Sequence, residues 1–204
     1  MPRVTAGSFV SFAYERSARA KAAFVQRAVE QQRSGYDPPP DYWFRLRSPL
    51  ISMISKGNYT SRVVALALAK VPEKRRDDFA RIFTGFLAAW PQRQPVPTAR
   101  PRLSCVIGDT VITCQPHAAV KLGGRLWLLR FLYPVNAAAS PKAAAEFELL
   151  RRASAGRGRP GLLHVISGRI LEPMSPRDLG PFLAAEADEY TRLWRRYGGP
   201  LDET

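Results

Sequence analysis

The stretch LSCVIGDTVITCQPHAAVKLGGRLWLLRFLY, residues 103–133, decides the fold of this chain. It contains four short segments of apolar or β-branched residues, a pattern typical of strands. These segments are 103–107, 111–114, 118–122 and 126–133. The dipeptides Gly108-Asp109 and Gly123-Gly124 separate the outer pairs, and both favour tight hairpin turns. The stretch therefore predicts four consecutive strands joined by short turns.

Downstream of these strands the pattern alternates between helix and strand. The remaining predicted elements are a helix over 140–153, strands over 162–166 and 169–171, and a last helix over 175–197. Each helix opens on a Ser-Pro dipeptide, Ser140-Pro141 and Ser175-Pro176, with serine as cap and proline in the first turn. The order ββββ–α–β–β–α predicts an α+β fold, with helices over one face of a small, mostly antiparallel or mixed sheet.

The chain upstream of residue 95 is predicted to be mostly helical. Apolar residues at three- and four-residue steps predict one helix over 5–33, ended by Gly35 and by Asp37-Pro38-Pro39-Pro40. Further helices are predicted from Asp41-Tyr42, with a kink or split at Pro49, and over 60–70 and 73–90. The four prolines of 91–101 indicate a linker or an extended crossover. We therefore divide the chain into a helical region, 1–95, and an α+β core, 96–204, that form one compact unit.

Composition sets the class of protein. The chain has 204 residues, of which 46% are hydrophobic, so it can bury a core without a disulfide or metal. Its two cysteines, Cys105 and Cys114, exclude a disulfide framework. No apolar run approaches the roughly 18 residues of a membrane span, and the start lacks a signal-peptide core. We therefore expect a cytoplasmic protein with reduced thiols and no membrane contact.

The charge of the chain indicates an acidic partner. Lys and Arg number 31 against 17 Asp and Glu, a net charge of +14, and the pI is about 10.6. A GC-rich genome explains arginine in place of lysine but not the shortage of acids. Nucleic acid is the first partner class, because phosphate contacts need cations rather than a motif. An acidic protein is the second, and ordinary surface charge is the remaining alternative.

Nine basic residues of the first 160 are the candidate nucleic-acid-binding residues. They are Arg45, Arg47, Arg100, Arg102, Lys121, Arg125, Arg130, Arg157 and Arg159. Arg45 and Arg47 follow Trp43 and Phe44, which either stack on bases or pack into the core. Arg157 and Arg159 alternate with glycines in a loop that either wraps onto phosphates or is a plain solvated turn.

Several segments resemble those of an uncharacterised family of basic bacterial proteins of actinobacterial type. They are PHAAVKLGGRLWLLRFLY (116–133), HVISGRI (164–170), FLAAEADEYTRLWRRY (182–197), AYERSARAKAAF (13–24) and YDPPPDYWFRLR (36–47). The residues that match the family pattern are Gly124 and Arg130 in the strand region and Glu186, Ala187, Tyr190 and Trp194 in the last helix. The resemblance implies no activity.

From Val111 onward, three strands, a helix and a further strand resemble the core of PD-(D/E)XK and RecB-like nucleases. That resemblance implies a divalent metal held by carboxylates on neighbouring strands, beside a lysine. Here Leu128-Leu129-Arg130 stands where acid–x–lysine would fall, and His117 stands near the place of the earlier acid. Because arginine cannot replace a carboxylate, we expect a non-catalytic protein. The alternative is a nuclease with an unusual ligand set, such as Asp109, Glu146 and Glu148.

A zinc site is the remaining possibility for metal chemistry. Zinc takes about four Cys or His ligands, and the chain offers only Cys105, Cys114, His117 and His164. Two of these, Cys105 and His164, lie within apolar predicted strands, so we expect no zinc and no cofactor. The sequence thus predicts a non-catalytic protein that binds the phosphate backbone of nucleic acid. The alternative is an adaptor subunit that docks an acidic protein.

Overall fold

A computed structural model describes residues 1–35, 43–133, 140–172 and 178–199. In these ranges the helices are α1 (Ala6–Ala13), α2 (Ala18–Ser34), α3 (Phe44–Lys56), α4 (Ser61–Leu68), α5 (Glu73–Ala89), α6 (Pro141–Ser154) and α7 (Gly180–Arg196). The strands are β1 (Arg3–Thr5), β2 (Val96–Pro97), β3 (Ser104–Ile107), β4 (Thr110–Thr113), β5 (Ala118–Leu122), β6 (Arg125–Leu132), β7 (Arg159–His164) and β8 (Arg169–Leu171). Short 3₁₀ turns occupy Pro91–Arg93 and Val165–Ser167.

The predicted α+β class is confirmed, but the four central strands belong to two sheets instead of one. The first sheet has the order β1-β4-β3, and its β1 runs parallel to β4. The second has the order β2-β5-β6-β7-β8. Within it β6 and β7 are parallel, joined by α6 as a crossover, and the other pairs are antiparallel. The hairpin β3–β4 therefore pairs with the start of the chain through β4, whereas the hairpin β5–β6 lies in the second sheet.

Helices cover both faces of the second sheet, whereas the sequence predicted them over one face. Side chains alternate between the two faces of a strand, and the buried residues of β5 and β6 follow this rule. Ala119 and Leu128 belong to one hydrophobic cluster, together with residues of α1, α2, α6 and α7. Ala118 and Leu129 belong to the other cluster, with residues of α3, α4 and α5. The sheet is thus the middle layer of the protein.

The front helices differ from the prediction at two places. The single helix over 5–33 is broken after Ala13, because the Ser17 side chain accepts a hydrogen bond from the Ala20 N–H (3.1 Å) and so caps a new helix, α2. Of the two predicted effects of Pro49, the split is wrong, because α3 continues from Phe44 to Lys56, and the kink stays a prediction. The predictions at Asp37-Pro38-Pro39-Pro40, Asp41-Tyr42 and Ser175-Pro176 lie outside the described residues.

The proline-rich segment 91–101 begins with the 3₁₀ turn Pro91–Arg93 and then continues as an extended crossover, one of its two predicted forms. β2 pairs with β5 through Val96 and Lys121, and the Thr98 N–H donates to the Ala119 carbonyl (3.0 Å). This pairing holds residues 98–103 along the sheet and determines where Arg100 and Arg102 lie. In the described ranges, no helix combines the length and the apolar character that crossing a bilayer requires.

Candidate functional site

A cavity of about 1030 Å³ lies at the end of β6 and is lined by several basic side chains. We call it the arginine cavity. The cations that line it are Arg47, Arg100, Arg102, Arg130 and Lys142. They come from α3, the crossover segment, β6 and α6, so segments distant in sequence converge here. Four of the nine candidate residues predicted from the sequence are among them.

One face of α3 forms a wall of the arginine cavity. Trp43, at the cap of α3, and Arg47 and Ile51 within it follow each other at steps of four residues, the spacing that places helical side chains on one side. The Trp43 ring stacks on the Tyr133 ring, with centroids 4.6 Å apart and planes 8° apart. This stack joins the start of α3 to the end of β6 and thereby orients Arg47 toward the cavity.

Arg100 and Arg102 form a second wall from the crossover segment. Residues two apart in an extended chain point to the same side, and both guanidinium groups line the cavity. Arg100 Nη1 donates to the carbonyl oxygen of His117 at 3.5 Å. Both arginines are exposed, so they can contact a ligand that enters from solvent.

Arg130 is fixed by an ion pair in the floor of the cavity. Its Nε and Nη2 each lie 2.9 Å from Glu146 Oε2. Its Nη1 also donates to the carbonyl oxygen of Gln115 (3.4 Å). Among the described residues that line the cavity, Glu146 is the only carboxylate. Arg130 and Glu146 neutralise each other, so the remaining cations give the cavity its positive charge.

Burial and the neighbouring cations together set the protonation state of His117. Its Nδ1 accepts a hydrogen bond from the Phe131 N–H (3.0 Å), which places the proton of the neutral ring on Nε2. Burial, followed by the charges of Arg130, Arg47 and Arg100, holds the pKa of His117 well below its usual value. The ring is therefore neutral near pH 7 and offers an N–H donor beside the arginines.

Lys142 is a cation of the cavity that sequence reasoning missed. It lies in the first turn of α6, the helix that follows β6 along the chain. A helix that leaves the end of a strand begins at the edge of the sheet where that strand ends. In the sequence, the predicted helix start at Ser140-Pro141 comes soon after the predicted strand Leu126–Tyr133. This closeness is the signal that could have identified Lys142.

The other five predicted binding residues lie away from the arginine cavity. Arg45 faces away from Arg47 on α3 and donates to the carbonyl oxygen of Lys70 (2.6 Å). Lys121 and Arg125 are exposed at the β5–β6 hairpin, and Arg157 is exposed in the loop before β7. Arg159 lies over the Trp127 ring at 4.9 Å and pairs with Glu172 at 2.9 Å.

The two positions that the nuclease resemblance singled out both line the arginine cavity. They are His117 and Arg130. The three acids of the nuclease alternative each contact arginine: Asp109 pairs with Arg195, Glu146 with Arg130, and Glu148 with Arg151 and Arg152. Across the described part of the chain, no three Cys, His, Asp or Glu side chains are grouped closely enough to hold a metal ion.

Comparisons with family models, curated proteins and solved structures give no match for this chain. The resemblances to a bacterial family and to a nuclease core therefore stay predictions.

Proposed function

We propose that this protein binds nucleic acid through its phosphate backbone, without cleaving it, and that the arginine cavity is the centre of the binding surface. The observation that carries this proposal is the convergence of Arg47, Arg100, Arg102 and Lys142 on one cavity. Glu146 is the one carboxylate among the described residues that line this cavity, and Arg130 already neutralises it.

Phosphate oxygens suit this arrangement for two reasons. Arginine presents several N–H donors in a planar fork that matches phosphate geometry. Cations gathered in one concavity also strengthen each other's attraction for an anion. Burial first, and then the charges of Arg130, Arg47 and Arg100, lower the pKa of His117 beside these cations.

The non-catalytic part of the proposal rests on the carboxylates. Cleavage of a phosphodiester through a divalent metal needs oxygen ligands that converge on one point. Asp109, Glu146 and Glu148 instead pair with separate arginines. The cavity therefore offers N–H donors that suit an anion, and it does not offer the converging oxygen ligands that a metal cation needs.

The test is fluorescence anisotropy of a labelled oligonucleotide at two salt concentrations. We expect binding that weakens about tenfold or more between 50 and 200 mM salt, because displaced counterions drive association. The double variant Arg100→Glu/Arg102→Glu should weaken binding about tenfold or more. The matched control Arg62→Glu/Lys74→Glu changes the net charge equally at exposed positions of α4 and α5 outside the cavity.

Two outcomes would overturn the proposal. One is that wild-type protein does not bind the oligonucleotide at 50 mM salt. The other is that the control variant weakens binding as much as the cavity variant, which would make the binding a property of net charge alone. Tighter binding of poly-glutamate than of the oligonucleotide would instead favour the adaptor alternative. Metal-dependent cleavage of the oligonucleotide would contradict the non-catalytic part.

A further inference from the structure

A second, smaller cavity of about 400 Å³ adjoins the arginine cavity. Both are lined by Thr5, Ser8 and Phe24, so these three residues form the boundary between them. Thr5 Oγ1 and Ser8 Oγ lie 2.9 Å apart in a hydrogen bond at the start of α1. We call the two adjoining cavities together the groove.

One face of α2 lines the second part of the groove. Phe24, Arg27, Ala28 and Gln31 follow each other at helical spacing, and all four line this cavity. Nε of Arg27 donates to the Ala23 carbonyl oxygen (3.2 Å), which holds the guanidinium along the helix. A basic side chain thus lies at this end of the groove, as several do at the other.

Cations line both cavities, and an aromatic ring is shared between them. Arg100 and Arg102 line the arginine cavity, Phe24 lines both cavities, and Arg3 and Arg27 line the second. The Phe24 ring is partly exposed and tilted by 56° against Phe12, with centroids 6.1 Å apart. A positively charged groove with an aromatic side chain between its cations is the form of site that binds unpaired strands.

The groove differs in shape from the elements that read duplex DNA in its major groove. Those elements are projecting helices or ribbons. Here the cations line a concavity enclosed by α1, α2, α3 and α6. A single strand can enter such a concavity, with its phosphates toward the arginines and a base against Phe24.

We infer that the groove binds a single-stranded segment of nucleic acid that extends from the arginine cavity past Phe24 to Arg27. This inference rests on the proposed function and names the form of nucleic acid that the site takes. It assigns Arg27 and Phe24, which no sequence motif indicated, to the binding surface.

The experiment compares labelled single strands of 4, 8, 12 and 20 nucleotides with a 20-base-pair blunt duplex of the same sequence. We expect the 20-nucleotide strand to bind about tenfold or more tightly than the duplex. Affinity should rise with length until the strand fills both cavities. Arg27→Glu should weaken binding of the 12-nucleotide strand several-fold and hardly change binding of the 4-nucleotide strand.

The matched control for Arg27→Glu is Arg19→Glu. Arg19 is also exposed on α2, but it lines neither cavity. Phe24→Leu keeps an apolar side chain at the junction and removes the ring, and it should weaken single-strand binding about fivefold or more. Circular dichroism checks that the variants fold, and Arg27→Gln serves as a milder substitution if Arg27→Glu does not.

Two results would overturn the inference. If the duplex binds as tightly as the single strand, and Arg27→Glu behaves like Arg19→Glu, the groove is not the path of the strand while nucleic-acid binding still stands. If neither form binds, the inference and the proposed function fail together.

Discussion

Arg130 and Glu146 form an ion pair between β6 and α6, with two guanidinium nitrogens 2.9 Å from the same carboxylate oxygen. Their side chains are 14% and 26% exposed, so both are largely removed from water. The pair joins a strand to its crossover helix beneath the arginine cavity. It therefore couples the stability of the fold to the charge of the site.

Glu146→Gln should destabilise the protein and strengthen its binding of nucleic acid. The variant leaves the Arg130 charge without its carboxylate, which should cost about 1–3 kcal/mol of unfolding free energy because the pair is largely but not fully buried. It also adds one positive charge to the cavity, so single-strand affinity should rise several-fold. Urea denaturation and anisotropy measure the two effects.

The control for this substitution is Glu189→Gln. Glu189 is about as exposed as Glu146, but its partner Arg192 is 60% exposed, whereas Arg130 is 14% exposed, and a pair with an exposed partner contributes little. A Glu146→Gln protein that bound more weakly than the wild type would contradict the placement of this carboxylate in the binding site.

The stability of the protein should decrease as the pH falls below about 6.5. Burial and three arginines lower the pKa of His117 in the folded state, whereas in the unfolded chain it keeps its ordinary value near 6.5. The unfolded chain then binds the proton first, so acid favours unfolding between the ordinary pKa and the lowered one. The measurement is the unfolding free energy in urea at pH 5.5, 6.5 and 7.5.

His117→Asn should flatten this pH dependence. Its amide oxygen can still accept the Phe131 N–H, but the side chain does not titrate. His164 also has a lowered pKa, through burial and the charge of Arg169, so a smaller slope of the same sign should remain. An unchanged slope in the His117 variant would show that this histidine is not held neutral.

Gly85→Ala should destabilise the protein although alanine favours helices. A Cβ at Gly85 in α5 would lie 2.5 Å from the carbonyl oxygen of Ile166, and backbone cannot yield as a flexible side chain can. The overpacking should cost about 1–3 kcal/mol, measured by urea denaturation.

Gly7→Ala is the matched control for this helix substitution. Its Cβ in α1 would be 3.7 Å from the nearest atom outside the helix, an ordinary contact. The protein should therefore keep or gain up to about 1 kcal/mol. Equal effects of the two substitutions would indicate that α5 does not pack closely on Val165–Ser167.

Cys105 should react with iodoacetamide well before Cys114. Cys105 is partly exposed and Cys114 is fully buried. The neighbouring Cys114 thiol lowers the pKa of Cys105, whereas the interaction with Cys105 and burial raise the pKa of Cys114. Because the thiolate is the reactive form, peptide mass spectrometry after brief labelling at pH 8 should find the label on Cys105. Predominant labelling of Cys114 would be incompatible with the β3–β4 packing.

The strands and hairpins could be predicted from the sequence because their signals are local. Gly108 and Gly123 mark turns between neighbouring apolar segments, and the structure has positive φ angles at both. The division into two sheets could not be predicted, because it depends on β1 pairing with residues far along the chain. The break between α1 and α2 could not be predicted from the apolar spacing, because that spacing continues through both helices. Ser17, a capping residue, is the one local signal of the break.

The sequence predicts which kind of residue forms the candidate site, but it does not predict which of these residues the fold brings together. Arg100 and Arg102 were identified from charge, and they do lie in one cavity. Arg45 and Arg47 look equivalent in sequence, yet residues two apart on a helix face different ways, so only Arg47 lines the cavity. Arg27 carried no motif, because its role depends on how α2 packs beside α1.

The parallel pairing of β1 with β4 has a consequence for synthesis on the ribosome. Arg3 pairs with Val111, so translation must add about a hundred residues before the partner of the first strand leaves the exit tunnel. At roughly 5–20 residues per second, Val4 and its neighbours wait about 5–20 s in an unfinished chain. Throughout that delay the nascent polypeptide carries a first strand without its partner, and a chaperone could shield it.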